Sequence, residues 1–148
     1  MKFIHLHNHS DYSILDGAIT VDRLIDKAAE FGMPGVALTD HGNMFGAIEF
    51  YQKARKKGIK PIIGQEFYIA PRSRLEKDSR AAGNGKENFH HLLLLAMDLE
   101  GYKNLIKLSS IAYTEGFYYK PRIDLEVLRN HSRGVICSSA CLGGEIPM

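Results

Sequence analysis

The sequence has little of what would mark a secreted or membrane protein. Its 148 residues include two cysteines, Cys137 and Cys141, which lie too close together along the chain to favour a disulfide. The longest apolar run, Leu92–Met97, is about a third of the ~20 residues that a membrane helix needs. The N-terminus has no apolar stretch long enough for a signal peptide. We therefore expect a cytoplasmic protein.

A strong net charge and the common catalytic loops are also missing. Nineteen Lys and Arg against 17 Asp and Glu give a formal net charge of +2, too small to indicate nucleic-acid binding by itself. No Walker loop, GxGxxG loop or evident Ser-His-Asp set is present. The apolar share of 45% and the charged share of 24% are typical of a globular protein, and the length fits one domain.

Short apolar runs alternate with amphipathic segments along the chain. This alternation is typical of βαβ units, so it predicts an α/β fold with mostly parallel strands. The predicted strands are Phe3–His7, Gly35–Thr39, Pro61–Ala70 (with Gly64 as a possible bulge), Leu92–Ala96 and Gly134–Ser138. The predicted helices run from the cap Thr20 to Phe31, from Ala47 to Lys57, from the cap Asp98 to Thr114, and from the cap Asp124 to Asn130. Residues 71–88 are polar and are predicted to form a loop.

Three closely spaced histidines, His5, His7 and His9, are the strongest candidates for chemistry. Side chains at a spacing of two share one face of a strand, so all three imidazoles can point the same way. Two histidines at this spacing can bind a divalent cation together. Asp16, which follows a turn, can bring a carboxylate to the same place. The histidines of an isolated His-x-His motif more often lie on the surface or pack in the core than bind metal. Further candidate ligands along the chain make metal binding the favoured interpretation here.

Those further candidates follow or lie within the later predicted strands. The second strand leads to Asp40 and His41, the third carries Glu66, and the fifth leads to Cys141. Loops after parallel strands meet at one rim, which would collect imidazoles, carboxylates and a thiolate. This mixture suits zinc, iron or manganese better than calcium or magnesium. Two or three such cations would activate a water and hold phosphate oxygens, which predicts hydrolysis of a phosphoester.

Several of these residues have a competing structural interpretation. Asp40 is more often a turn or cap residue than a ligand, and His5 can support the ligands from behind or pack against them. Cys137 lies in an apolar strand and is predicted to be core. His90 and His91 precede their apolar run, which is the wrong end for a parallel strand. Either that run is antiparallel to its neighbours, or these histidines are structural.

At these residues the sequence resembles the PHP (polymerase and histidinol phosphatase) family, in particular the PHP domain at the N-terminus of the alpha subunit of bacterial replicative DNA polymerases. The likeness covers essentially the whole chain. It rests on HLHNHSDYSILDG at 5–17, GMPGVALTDHGNMFG at 32–46, GIKPIIGQE at 58–66, GFYYKPRID at 116–124 and SSACLGGEIP at 138–147. The last two stretches are particular to the polymerase branch.

The resemblance implies a specific ligand set and activity. Its pattern places metal ligands at His7, His9, Asp16, His41, Glu66, His91 and Cys141. It implies up to three divalent ions of zinc, manganese or iron in the complete domain, and 3′–5′ exonuclease proofreading by the intact protein. Alternatives are a structural scaffold that stabilises the polymerase without catalysis, and a free-standing small-molecule phosphatase.

The family fold is a distorted barrel of seven strands and helices, and this chain is expected to be part of it. Residues 1–148 end after about five strands, before the closing Asp-x-His motif that supplies the last ligands. We therefore expect a truncated (β/α)7 barrel that belongs to a longer polypeptide and is prone to self-association. The implied partners are a DNA primer-template, the remaining polymerase domains and replisome subunits. The basic residues within 71–88 can contact DNA, although a merely solvated loop is the commoner outcome.

Overall fold

The computed structural model describes residues 3–14, 16–77, 89–141 and 144, which form four helices and five strands. The helices are α1 (Val21–Glu30), α2 (Ala47–Lys56), α3 (Leu99–Thr114) and α4 (Leu125–Asn130). The strands are β1 (Gly35–Leu38), β2 (Lys60–Ile69), β3 (His90–Ala96), β4 (Arg122–Ile123) and β5 (Val135–Ser138). All five strands belong to one mixed sheet, so the predicted α/β class is confirmed. Among the described residues, none of the helices has the length and hydropathy needed to cross a bilayer.

Side-chain caps set the starts of three helices, as predicted from the sequence. Thr20, Asp98 and Asp124 precede α1, α3 and α4, and each accepts a hydrogen bond from a backbone N–H of the first turn. The first helix ends at Glu30, and Gly32, at a φ of 63°, takes the left-handed conformation that follows many helices.

The long strand β2 is the centre of the sheet. One edge of β2 pairs with β1 through Lys60–Ile63 and then with β4 through Tyr68–Ile69, and the His41–Glu66 bridge lies between these two ladders. The other edge pairs with β3 from Gly64 to Ile69, and β5 pairs with the far side of β3. Glu66 therefore has neighbouring strands on both sides.

Four of the five described strands run in one direction, and β3 alone is reversed. Its ladders with β2 and β5 are both antiparallel, whereas β1 and β4 pair with β2 in parallel. The prediction of mostly parallel strands is therefore correct for the direction of four strands. It is wrong for β3, which pairs antiparallel with both of its neighbours. Because of the reversal, the start of β3 lies beside the end of β2, with His90 opposite Ile69 and His91 opposite Tyr68. This arrangement is the antiparallel alternative that the sequence left open.

Two apolar clusters hold the layers together. The first packs α1 and α2 against β1 around Phe50, and the second packs α3 and α4 against β2 and β3 around Phe67 and Leu94. A third, smaller cluster of Ala37, Leu93 and Leu95 lies between β1 and β3. Phe67 and Leu94 alternate with Glu66 and Leu93 along their strands, so the third cluster and Glu66 lie on the sheet face that α3 does not cover.

The predicted strand Phe3–His7 does not form, and residues 3–9 run extended beside β1 without a regular ladder. Two backbone hydrogen bonds join this segment to β1 and the residue after it, from Ala37 N to His5 O and from Thr39 N to Asn8 O. The Asn8 amide donates to the Ala37 carbonyl, while the Asn8 backbone N–H donates to Thr39 Oγ1. Side chains therefore occupy positions that a strand would fill with backbone groups.

Two further predictions are wrong, and one falls partly outside the structure. No bulge interrupts β2 at Gly64, because the register that pairs Leu38 with Ile63 continues unchanged to the His41–Glu66 bridge. Cys137 is exposed rather than core, since it lies on β5, whose outer edge is covered by no part of the chain that the structure describes. Of the predicted loop at 71–88, residues 71–77 form no helix or strand, and 78–88 lie outside the described residues.

Candidate metal centre

The carboxylate of Glu66 is the centre of the candidate site. It is 1% exposed, and four imidazoles converge on it. His7 Nε2 lies 2.5 Å and His9 Nε2 3.1 Å from Oε2, and His41 Nδ1 lies 3.7 Å from the same oxygen. His91 Nδ1 contacts the other oxygen, Oε1. One buried carboxylate thus joins histidines from three separate parts of the chain.

The extended segment 3–9 supplies the first two imidazoles. The His7 and His9 rings lie 4.9 Å apart between centroids and are nearly perpendicular. The Nδ1 atom of His9 is 2.9 Å from the Thr39 carbonyl oxygen, which can only accept, so this nitrogen is the protonated one. When the ring is neutral, that tautomer leaves the lone pair on Nε2, the nitrogen that faces Glu66, which is the arrangement typical of histidines that bind metals.

The segment after β1 and the start of β3 supply the other two imidazoles. His41 follows β1 and stacks on the His9 ring at 3.9 Å, with 17° between the planes. His91 reaches Glu66 from the start of β3 because that strand is reversed. Cys141, in the segment after β5, places its exposed thiol sulfur 3.7 Å from His91 Nδ1. Each side chain therefore arrives from the rim where the forward strands end.

Asp16 completes the group on the solvent side. Its Oδ2 lies 2.7 Å from His41 Nε2, and the side chain is 54% exposed. The tight turn before it is closed by a hydrogen bond from Gly17 N to Ser13 O. Position 17 requires glycine, because a Cβ there would overlap the Ser10 carbonyl oxygen. The turn therefore places Asp16 at the mouth of the site.

Asp40 holds this turn and is not itself one of the converging groups. It is 2% exposed, and its carboxylate accepts hydrogen bonds from Ser10 N, Ser10 Oγ and Ser13 Oγ. Ser13 Oγ in turn accepts from the His41 backbone N–H at 3.0 Å. Asp40 thus connects the turn that carries Asp16 to His41, the residue that follows Asp40 in the sequence. The sequence suggested a turn role for Asp40 but did not reveal its serine partners.

The remaining candidate, His5, lies away from the cluster. Its ring is exposed and contacts Phe3, with 4.8 Å between centroids, and it lines a different cavity beside α1. Its backbone carbonyl bonds Ala37, so His5 anchors the segment that carries the other histidines.

Electrostatics keep the central carboxylate ionised. Burial alone would raise the pKa of Glu66, but hydrogen bonds from His7, His9 and His91 and the charge of His41 outweigh it and lower that pKa strongly. Burial lowers the pKa of His9, yet its hydrogen bond with Glu66 and the nearby carboxylates raise it overall. Burial dominates at His41, whose pKa is lowered. The site therefore holds an anionic carboxylate surrounded by imidazoles, and a cation that displaced the protons shared with Glu66 would free their ring nitrogens as ligands.

The donor atoms fit one or more divalent cations. Two groups each have their donor atoms within 4.8 Å of one another, the first being His7, His9 and Glu66 and the second His41, Glu66 and His91. Glu66 belongs to both, as a carboxylate that bridges two ions would. His41 Nδ1 is buried and has no hydrogen-bond partner among the residues that the structure describes, so a cation would satisfy it. Imidazole with carboxylate is a donor set of zinc and similar transition metals.

Two residues near the site were not singled out from the sequence. Tyr68 and Lys120 line a cavity of about 220 Å³ together with Asp16, His41 and His91. Tyr68 was detectable, since it lies two residues after Glu66 in β2 and so shares its face. Lys120 follows no pattern that points to the site.

The fold and this donor set define an α/β domain that binds divalent metal ions. The chain belongs to the PHP domain family, whose profile matches residues 5–148. The family predicted from the motifs is thereby confirmed. Metal binding is the shared property that the donor geometry and the family support; neither gives the number or identity of the ions.

Comparison with curated proteins narrows the relationship. The chain is 56% identical to the DNA polymerase III subunit alpha of Borreliella burgdorferi and 52% identical to that of Thermus aquaticus, over 99% of the chain in both cases. The Helicobacter pylori subunit is 54% identical over 97% of the chain. The chain spans about 12% of the length of the Borreliella and Thermus proteins and 11% of the Helicobacter protein.

Solved structures share the fold over about three quarters of the chain. A Bifidobacterium adolescentis protein described as a metal-dependent phosphoesterase matches with a TM-score of 0.52 and 21% identity, over 75% of this chain and 33% of its own. An amidohydrolase from Chromobacterium violaceum, with bound sulfate and no metal, matches with a TM-score of 0.52 and 30% identity, over 74% and 33%. In both cases the matched region is about a third of the solved chain.

Proposed function

We propose that this chain is the N-terminal part of the PHP domain of a DNA polymerase III alpha subunit, and that its site cleaves phosphodiesters from the 3′ end of DNA. The observation that carries the proposal is the convergence of four imidazoles on one buried carboxylate, Glu66. The relatives' identity over almost the whole chain supports the polymerase context.

The proposed ligands are the seven residues that the resemblance implied: His7, His9, Asp16, His41, Glu66, His91 and Cys141. Bound zinc, manganese or iron ions would lower the pKa of a water and neutralise charge on the phosphate oxygens. Histidines from both edges of β2 converge on the Glu66 carboxylate: His41 lies at one edge, and His91 reaches it from β3 at the other. Asp16, exposed at the mouth, faces the solvent from which a strand end would enter.

We further propose that a longer polypeptide completes the barrel. The outer edge of β5 has no partner among the described residues, and a strand added there would cover it. The relatives extend far beyond the matched segment. In this proposal their additional length would supply such strands, the polymerase domains, and the surfaces that contact replisome subunits and the primer-template. Replication proteins of this kind act in the cytoplasm, which is the proposed location.

A scaffolding role without catalysis is the second candidate, and the exposed edge of β5 favours it. A domain completed by neighbouring segments stabilises those segments in return. The third possibility, a free-standing small-molecule phosphatase, has less support, because the curated relatives described above are all polymerase subunits.

The test uses the protein extended to the length of its alpha-subunit relatives, loaded with manganese or zinc and given a primer with a mismatched 3′ end. The wild type is expected to remove the mismatch and to stop when a chelator is added. Glu66→Gln is expected to slow removal at least about 100-fold, because it takes the charge from the central ligand. Glu30→Gln, the same change on the surface of α1, is the matched control.

Metal content measured on the same samples separates the two candidates. Metal-loaded wild type that leaves the mismatched end intact would refute catalysis. If Glu66→Gln then also lowered the unfolding temperature of the whole subunit, the scaffold role would replace it.

A further inference from the structure

Two cavities meet beside the metal centre and form one groove. The first, of about 220 Å³, is bounded by Asp16 and His91, and the second, of about 200 Å³, extends towards Phe45 and Tyr113. They share four lining residues: Ile14, His41, Tyr68 and Lys120. The groove therefore has a metal-ligating end and an aromatic end, with one lysine at the junction.

Lys120 has the position expected of a phosphate-binding group. It is the sole lysine or arginine among the described residues that line the two cavities. Its ammonium lies 5.4 Å from the centroid of the Tyr68 ring, and Tyr68 stacks at 6.2 Å on the proposed ligand His41. Within the described parts of the chain, no carboxylate lies at ion-pair distance from Lys120. Its charge is therefore available to an anion.

The backbone before Lys120 is held in an uncommon conformation. Tyr119 has a φ of 59°, a left-handed conformation that is unusual and strained for a bulky residue. A hydrogen bond from Tyr118 N to Lys120 O closes this tight turn. The strained turn points the chain so that Lys120 reaches the groove, and strain of this kind is concentrated at functional positions.

The far end of the groove presents exposed aromatic faces. Phe45 is 69% and Tyr113 is 42% exposed, and their ring centroids are 6.5 Å apart. Phe117 extends the row, 6.1 Å from Tyr113. Large aromatic rings in contact with water next to a cation are the combination with which proteins bind single-stranded nucleic acid, by stacking the bases and neutralising the phosphates.

We infer that this groove binds the 3′-terminal part of a single DNA strand, with Lys120 on a phosphate beside the metal centre and Tyr113 and Phe45 against the bases. The inference rests on the proposed function and deepens it by assigning the substrate subsite. A single strand is favoured over a duplex because stacking on a side chain needs an unpaired base. In this proposal Lys120 and Tyr113 bind and position the strand, and neither is among the described side chains that pair with Glu66.

The test is equilibrium binding to the metal-loaded, full-length protein, followed by the anisotropy of a fluorescein-labelled oligothymidylate of about ten nucleotides whose 3′-terminal linkages resist hydrolysis. Lys120→Met is expected to weaken binding at least about fivefold and to lower the salt dependence by about 0.7 in log–log slope. Lys120→Arg should retain both. Lys56→Met, the same charge change at a site between α1 and α2, should leave binding unchanged.

For the aromatic end, Tyr113→Leu is expected to weaken binding about fivefold or more, while Tyr113→Phe retains the ring and the affinity. In the mismatch-removal assay, Lys120→Met and Tyr113→Leu should raise KM more than they lower kcat. If both variants bind and digest as Lys56→Met does, the groove is not the subsite and its aromatic wall contacts another part of the polypeptide. A wild type that binds the strand but does not digest it refutes the proposed function and not this subsite.

Discussion

Replacing Asp40 tests whether a residue outside the ligand set governs the metal centre. Its carboxylate is buried and is the acceptor for one backbone N–H and two hydroxyls, all from Ser10 and Ser13. In Asp40→Ala these three donors lose their acceptor inside the protein. In Asp40→Asn one carbonyl oxygen remains, so most of the hydrogen bonds survive.

The size of the effect follows from the number of donors. A buried donor without a partner costs about 1–3 kcal/mol, and the two hydroxyls can reorient towards other acceptors. We therefore expect Asp40→Ala to lower the free energy of unfolding by about 3–4 kcal/mol and Asp40→Asn by about 1 kcal/mol. Because Ser13 also holds the His41 backbone, Asp40→Ala should weaken zinc affinity at least about tenfold, as for other residues that orient ligands.

Urea denaturation measures the first effect, and competition with a zinc-binding dye measures the second. Ser13→Ala is the informative companion, since it removes only the link between Asp40 and His41. It should reduce zinc affinity with a smaller loss of stability than Asp40→Ala. The reasoning is wrong if Asp40→Ala unfolds within about 1 kcal/mol of the wild type and binds zinc equally well.

Three further predictions address other parts of the molecule. Cobalt substitution should give a sulfur charge-transfer band that Cys141→Ser abolishes and Cys137→Ser keeps; a band unchanged in both would remove the thiolate from the ligand set. Burial alone would raise the pKa of Asp124, but hydrogen bonds and ion pairing with Arg74 lower it, so its stabilising contribution is complete above its ordinary value of 3.8 and is lost as pH falls below about 4. Acid denaturation curves of Asp124→Asn and wild type should therefore differ most at neutral pH and converge in acid, and parallel curves would contradict this. Gly64→Ala should destabilise the chain by about 1–3 kcal/mol in thermal or urea unfolding, because the new methyl would lie 2.6 Å from the Leu94 carbonyl oxygen; an unchanged midpoint would show that β3 yields freely.

Local signals in the sequence were sufficient for much of the fold. Thr20, Asp98 and Asp124 cap helices because a short polar side chain before an amphipathic stretch satisfies free N–H groups wherever it occurs. The rim that gathers His41 and Glu66 was equally predictable, since it needs only the rule that forward strands end on the same side.

Features that depend on distant partners were not predictable. Asn8 replaces a strand ladder with side-chain hydrogen bonds to residues about thirty positions away, which no local pattern reveals. The reversal of β3 depends on how the chain returns from β2. The apolar run of four leucines contains no signal for the direction of the strand, so the sequence could not predict the reversal. The position of Lys120 depends on the strained turn at Tyr119, and the exposure of Cys137 depends on what covers β5.

The pairing of β2 with β3 has a consequence for which imidazole reaches the metal. Four successive leucines follow His90 and His91, so sliding β3 by one position would keep a leucine at three of the four leucine positions. Such a slip would turn His91 away and present its neighbour instead. That slip would also place His91 at the buried Leu92 position, so apolar packing and metal binding by the aligned imidazole would act together to fix the register of this ladder.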